Sequence, residues 1–241
     1  MVRLESPWGL YLISDQAMLR EGTFAPFLER ALASGVRIVQ LRGKPLPEDV
    51  VMLIGRQMRR LTRAHGAAFI VNDRVDLAVR LGADGVHLGQ GDASPEEVRS
   101  ELGPGRLIGL STHNRRQIAA AQDRPVDYIG VGPVYSTSTK ENPDPEVGPA
   151  LIEWASMNSA LPVVAIGGIT LDNLEPVLRA GARNVAVVSA IGRSADPSAT
   201  TREFIRRIEA FQQRNAPGSR ETAAPNPASP GSTDPVRECP G

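Results

Sequence analysis

Residues 68–92 read AFIVNDRVDLAVRLGADGVHLGQGD. The stretch opens with an apolar run at 68–71, passes through a helical pattern at 74–80, turns at a Gly-containing joint at 81–86, and enters a second apolar run at 85–88. Both runs are too short for a typical helix and rich in Val, Ile or Leu, which suits strands buried on both faces. The same unit recurs outward in both directions. Apolar runs stand at 10–13, 36–41, 107–110, 128–131, 163–166 and 185–188, with amphipathic segments such as 24–33, 47–63 and 171–180 between them. Strands alternating with helices imply a parallel sheet. Eight such units over about 205 residues, roughly 25 each, predict an α/β fold, a single (β/α)8 TIM barrel. An open doubly wound sheet would carry a Gly-rich dinucleotide fingerprint after its first strand, whereas here Ser14, Asp15 and Gln16 follow. The joints at 32–36, 81–86 and 180–185 each place Gly where a helix should end. They read as barrel joints without catalytic meaning.

Composition narrows the function classes. Apolar residues make up 41% of the 241, enough for a large core, and 27 basic residues balance 27 acidic ones. That balance argues against nucleic acid or an anionic membrane as the main partner. The single cysteine, Cys239, excludes an internal disulfide and argues against a cysteine metal cage. No apolar stretch approaches the roughly 20 residues of a membrane helix, and the N-terminus shows no signal-like run, so the expectation is a cytoplasmic protein. A homo-oligomer is compatible with all of this. Residues 1–8 read as a lead-in, 9–213 as the barrel and 214–241 as a tail. Residues 215–241 hold six prolines and almost no large apolar side chain, so the tail is expected to be disordered.

In this fold chemistry belongs at the C-terminal strand ends. After the second strand, alternation sets Gln40, Arg42 and Lys44 on one face, which can point into the mouth. Two cations and an amide suit a pyrophosphate, although a solvated strand end would look similar. Asp73 and Asp92 follow the third and fourth strands and could share one Mg²⁺. Each could instead cap the next helix, although Ser94 before Pro95 is the better cap after Asp92. After the fifth strand, Ser111 could bind phosphate, and His113 is either an acid–base group or a rim histidine. Residues 130–140 end in hydroxyls and Lys140, an anion-binding loop or a plain linker. Gly167, Gly168 and Ser189 follow the last two strands, where phosphate sites recur in this fold.

Taken in order, VQLRGK, VNDRVDLA, GADGVHLGQGD, IGLSTHN, YIGVGPVYSTSTK, PVVAIGGI and VAVVSAI resemble the thiamine-phosphate synthase (thiamine-phosphate pyrophosphorylase) family across residues 9–213. The resemblance implies condensation of 4-amino-2-methyl-5-hydroxymethylpyrimidine pyrophosphate with a thiazole phosphate, plain or carboxylated, giving thiamine phosphate and pyrophosphate. It implies a pyrimidine pyrophosphate site of Gln40, Leu41, Arg42, Gly43, Lys44, Asn72, Ser111 and Lys140, with Arg42, Lys44 and Lys140 catalytic. It implies Asp73 and Asp92 as Mg²⁺ ligands. Thr137, Ser138, Thr139, Gly168, Val188 and Ser189 would surround the thiazole phosphate. The chemistry needs no protein nucleophile: pyrophosphate departs, the aminopyrimidine stabilises the cation left behind, and the thiazole nitrogen attacks. Two positions depart from the family's commonest pattern, Gly43 and Gly91, each where an acidic residue is frequent. Two other activities fit parts of the pattern. A thiazole tautomerase on the same barrel would need a base such as His113 but not the pyrophosphate and Mg²⁺ set. A non-catalytic phosphate-sensing barrel would bind without turnover.

Overall fold

The strands β1 (Gly9–Ile13), β2 (Ile38–Leu41), β3 (Ala68–Asn72), β4 (Gly85–Leu88), β5 (Leu107–Thr112), β6 (Tyr128–Val131), β7 (Val163–Ile166) and β8 (Asn184–Val187) close into a barrel in chain order. All neighbours pair in parallel, and β8 returns to β1. This is a computed structural model, and it describes residues 6–44, 46–137 and 144–215. Helices α1 (Gln16–Arg20) and α2 (Phe24–Ala33) follow β1. The later strands are followed by α3 (Glu48–Ala64), α4 (Val75–Arg80), α5 (Pro95–Leu102), α6 (Arg115–Ala121), α7 (Gly148–Asn158) and α8 (Leu174–Arg179). The short α9 (Ser189–Gly192) and the long α10 (Pro197–Arg214) follow β8. The predicted (β/α)8 TIM barrel is therefore the fold. The tail beyond residue 215 lies outside the described residues.

Alternation along each strand separates two cores. Leu10 and Leu12 face outward into the strand–helix layer, whereas Tyr11 and Ile13 face the barrel interior. Ile38, Ala68, Ile70, Tyr128, Val164 and Ala186 fill the interior with them. The helices cover the outer faces with apolar stripes. Helix α3 buries Val51, Met52, Gly55, Met58 and Thr62, the spacing of one helical face. Among the described residues no helix is long and apolar enough to cross a membrane.

The joints that read as structural do structural work. Asp84 takes the backbone N–H of Phe69 at 2.9 Å and a two-pronged bond from Arg59 at 2.6 and 3.2 Å. Asp127 repeats the device, accepting from Ile108 N at 2.7 Å and from Arg99 at 2.5 Å. Asn184 completes it by accepting from Trp8 N at 2.6 Å. Polar side chains just before β4 and β6 and at the start of β8 thus satisfy backbone donors at the N-terminal ends of their neighbours. Strand β2 begins at Ile38 and not at residue 36, because pairing to Tyr11 and Ala68 starts there.

Candidate active site

Asp73 follows β3 in an uncommon conformation: its φ of 60° lies in the left-handed region, which non-Gly residues rarely occupy. The conformation is held from β4, because Asp73 N donates to the His87 carbonyl at 2.9 Å. It does not cap the next helix. Helix α4 has Arg74 as its N-cap residue and no side-chain cap bond. The carboxylate instead meets Lys44 Nζ at 2.7 Å. Burial raises the Asp73 carboxyl above the usual range, Lys44 opposes the rise, and the Asp92 carboxylate within hydrogen-bonding reach adds to it. Asp92 does not cap a helix either. It accepts from Gly89 N at 2.7 Å, while Ser94 and Glu97 form the capping box of α5. The mouth of β3 and β4 therefore sets two carboxylates beside one ammonium. Among the described residues no group of three or more His, Cys, Asp or Glu side chains is placed to hold a metal ion.

The carboxylates adjoin the polar end of β2. Gln40 is buried, and its amide nitrogen donates to the Tyr11 hydroxyl at 2.8 Å. Arg42 is half-buried; its backbone N donates to Ser14 Oγ at 2.9 Å, and its charge acts on Lys44. Leu41 turns into the strand–helix core, so only its backbone faces the mouth. The glycine at position 43 has a steric reason, since a Cβ there would stand 2.8 Å from Val51 Cγ2. At Gly91 nothing lies within 4 Å of where a Cβ would stand, so packing does not require the glycine there. Asn72 ends β3, half-buried, opposite His87.

Ser111 on β5 takes part in a network that sequence reading missed. Its Oγ lies 3.0 Å from His87 Nε2, and His87 Nδ1 lies 3.2 Å from the Tyr128 hydroxyl. Tyr128 in turn lies 3.0 Å from the Tyr11 hydroxyl. Burial pushes the His87 imidazole down to about 4, against the pull of Asp92, so the ring is neutral near pH 7. The available signal was Gly109, a glycine inside a strand, which often marks a close approach of neighbours.

The remaining strand ends form the other half of the mouth. Ser138, Thr139 and Lys140 lie outside the described residues, and Thr137 is half-buried just before them. Gly168 has φ 63°, and a Cβ on it would stand 2.4 Å from the Ser136 carbonyl oxygen. Only Gly fits there, because the loops after β6 and β7 touch backbone to backbone. Tyr135 N donates to Gly167 O at 3.0 Å, and Asn173 Nδ2 donates to Gly168 O at 2.9 Å. Val188 is the N-cap residue of α9 and Ser189 its first residue; the first amides of a helix have no partner within it. His113 follows β5 and is half-buried. Its Nδ1 lies 2.6 Å from Gly132 O, and its Nε2 lies 3.4 Å from Asp144 Oδ2.

Comparison with known proteins bears on this arrangement. The family model described as thiamine monophosphate synthase matches residues 10–191. The thiamine-phosphate synthase of Thermosynechococcus vestitus is 45% identical over 181 residues, which cover 75% of this chain and 51% of the relative. That of Thermus thermophilus is 46% identical over 181 residues, covering 75% of this chain and 86% of the relative. The chain thus spans about half the length of the first of these relatives and most of the second. The solved thiamine phosphate pyrophosphorylase from Pyrococcus furiosus superposes with a TM-score of 0.76 at 33% identity, covering 85% of this chain and 96% of that one. With the family model matched over most of the barrel, this chain belongs to the thiamine monophosphate synthase family.

Proposed function

We propose that this chain joins 4-amino-2-methyl-5-hydroxymethylpyrimidine pyrophosphate to thiazole phosphate, releasing pyrophosphate and thiamine phosphate. The observation that carries the reading is the Asp73–Asp92 carboxylate pair set against Lys44 at the mouth of β2, β3 and β4. A pyrimidine pyrophosphate would lie across Gln40, the Leu41–Gly43 backbone, Arg42, Lys44, Asn72 and Ser111, and Lys140, outside the described residues, would be its further cationic partner. Thr137, Ser138, Thr139, Gly168, Val188 and Ser189 would hold the thiazole phosphate.

The residues fit Mg²⁺. Two hard oxygen donors stand together; burial first, and the neighbouring Asp92 carboxylate second, raise the Asp73 carboxyl despite Lys44, and a bound cation would oppose that rise. Asp73 and Asp92 would hold the ion, which when bound supplies charge neutralisation for the pyrophosphate. The chain's own part is electrostatic and positional. Arg42, Lys44 and Lys140 stabilise the charge that builds on the departing pyrophosphate, and the barrel aligns the thiazole nitrogen with the pyrimidine methylene carbon. The C–O bond to pyrophosphate breaks, the C–N bond forms, and no side chain is alkylated. The tautomerase alternative has less support, because the relatives at 45–48% identity are named thiamine-phosphate synthases. The test is incubation with both substrates and Mg²⁺, followed by mass detection of thiamine phosphate and assay of pyrophosphate. Isomerisation of the thiazole without coupling would overturn the reading.

A further inference from the structure

The barrel interior of a (β/α)8 protein is normally filled with branched apolar side chains. Here a line of polar side chains crosses it. Gln40 Nε2 donates to Tyr11 Oη at 2.8 Å, Tyr11 Oη lies 3.0 Å from Tyr128 Oη, Tyr128 Oη lies 3.2 Å from His87 Nδ1, and His87 Nε2 lies 3.0 Å from Ser111 Oγ. The three middle residues are buried, and the line begins and ends on residues of the mouth, one on β2 and one on β5. The backbone makes room for it. His87, Gly109 and Tyr128 stand side by side on β4, β5 and β6 in register. Strands two apart lie about 9–10 Å from each other, so their rings can meet only if the residue between them has no side chain. A Cβ on Gly109 would stand 2.2 Å from Tyr128 Cζ and 2.5 Å from His87 Nδ1. Gly130 on β6 gives His87 space on its other side, with its Cε1 3.2 Å from where a Cβ would be.

Resting on the function proposed above, we propose that Tyr11, Tyr128 and His87 are positioning residues: a hydrogen-bond chain of one direction that orients Gln40 and Ser111 for the pyrimidine pyrophosphate. Each hydroxyl has a single proton, so the direction propagates. The Gln40 amide nitrogen can only donate, so Tyr11 accepts there and gives its own proton to Tyr128. Tyr128 then gives its proton to His87 Nδ1. The neutral ring must therefore hold its hydrogen on Nε2, which donates to Ser111 Oγ. The Ser111 hydroxyl hydrogen is left for a ligand acceptor, and phosphate oxygens are acceptors. At the other end the Gln40 carbonyl oxygen is the amide's remaining arm, suited to an exocyclic amino group. Turning the amide over would reverse every bond. Ser111 would then donate to His87, and its oxygen would present only lone pairs to a phosphate.

The test uses the full chain labelled with ¹⁵N at its three histidines. Long-range ¹H–¹⁵N correlation reads which nitrogen of each ring carries the hydrogen, with His87→Gln assigning the signal. The expected result is a neutral His87 protonated on Nε2, with an Nδ1 resonance that moves in Tyr128→Phe. Steady-state kinetics with Mg²⁺ forms the second arm. Tyr11→Phe and Tyr128→Phe should each raise KM for the pyrimidine pyrophosphate about tenfold, the scale of one well-placed hydrogen bond, and leave KM for the thiazole phosphate within about twofold. A merely structural network would lower the active fraction without separating the two KM values. Should Tyr128→Phe fail to fold, Tyr11→Phe, which leaves the ring partner in place, decides alone. His87 hydrogen on Nδ1, or equal changes in both KM values, overturns the proposal. If the wild-type chain makes no thiamine phosphate, the proposed function fails separately; the ring measurement and the weakening of inorganic pyrophosphate binding by Tyr11→Phe then decide the chain.

Discussion

Replacing Gly109 with Ala tests whether the interior polar layer depends on that missing side chain. The added Cβ would stand 2.2 Å from Tyr128 Cζ and 2.5 Å from His87 Nδ1. Carbon atoms settle at about 3.5–4.0 Å, so one ring or the strand must move by more than an ångström. Neither ring has an easy exit. Tyr128 is fully buried, bonded to Tyr11 and His87, and met edge-on by Trp8 at 5.1 Å between ring centres. Overpacking of this kind costs about 1–3 kcal/mol, and a broken buried hydrogen bond adds about 1 kcal/mol. For a domain of this size each kcal/mol lowers Tm by roughly 2–4 °C, so the loss should be about 4–16 °C. Gly91→Ala is the comparison, because nothing lies within 4 Å of its Cβ position and its stability should stay within about 0.5 kcal/mol. Thermal melts by circular dichroism read both. A Gly109→Ala protein that melts with the wild type and keeps the His87 ring signal would refute the steric argument.

Other outcomes follow from the site. Asp73→Asn and Asp92→Asn should each fold, the former because Asn tolerates positive φ as well as Asp does, yet turn over about 10²-fold more slowly at limiting Mg²⁺; near wild-type rates in both would remove the metal assignment. Arg42→Ala should lower turnover about 10²-fold or more while His113→Ala stays mild, and the reverse order in a thiazole isomerisation assay would favour the tautomerase. Stability should also depend on pH through His87. Its folded-state value of about 4 lies below the unfolded value of about 6.5, so the unfolded chain binds the extra proton in that window. The contribution is fully present above about pH 6.5 and is lost as pH falls towards 4, by up to about 3 kcal/mol. The raised Asp73 carboxyl acts in the opposite sense, so urea melts of wild type and His87→Gln should be compared, and parallel pH profiles would contradict the burial argument.

The strand–helix period was legible in sequence because a parallel barrel buries each strand on both faces, which leaves short Val- and Ile-rich runs separated by helical stripes. The residues at the strand ends were legible for a related reason: one end of every strand opens on the mouth, so polar residues following an apolar run converge there. That reasoning points to Gln40, Asp73, Asp92 and Ser111. The use each one makes of its position was not. Asp73 and Asp92 both stand before helices, as caps do, and only the φ of 60° at Asp73 and the Ser94 capping box of α5 separate them from that role. His87, Tyr11 and Tyr128 sit inside apolar runs far apart along the chain and look like core filling. Their contacts arise inside the barrel: His87 meets Tyr128 between strands two apart over the face of Gly109, and Tyr11 meets Tyr128 from β1 to β6, three strands apart. Periodicity reports which face a residue takes, a local property of one strand. Which side chains meet on the inner face depends on closure and register, and those are set by pairings distant in sequence.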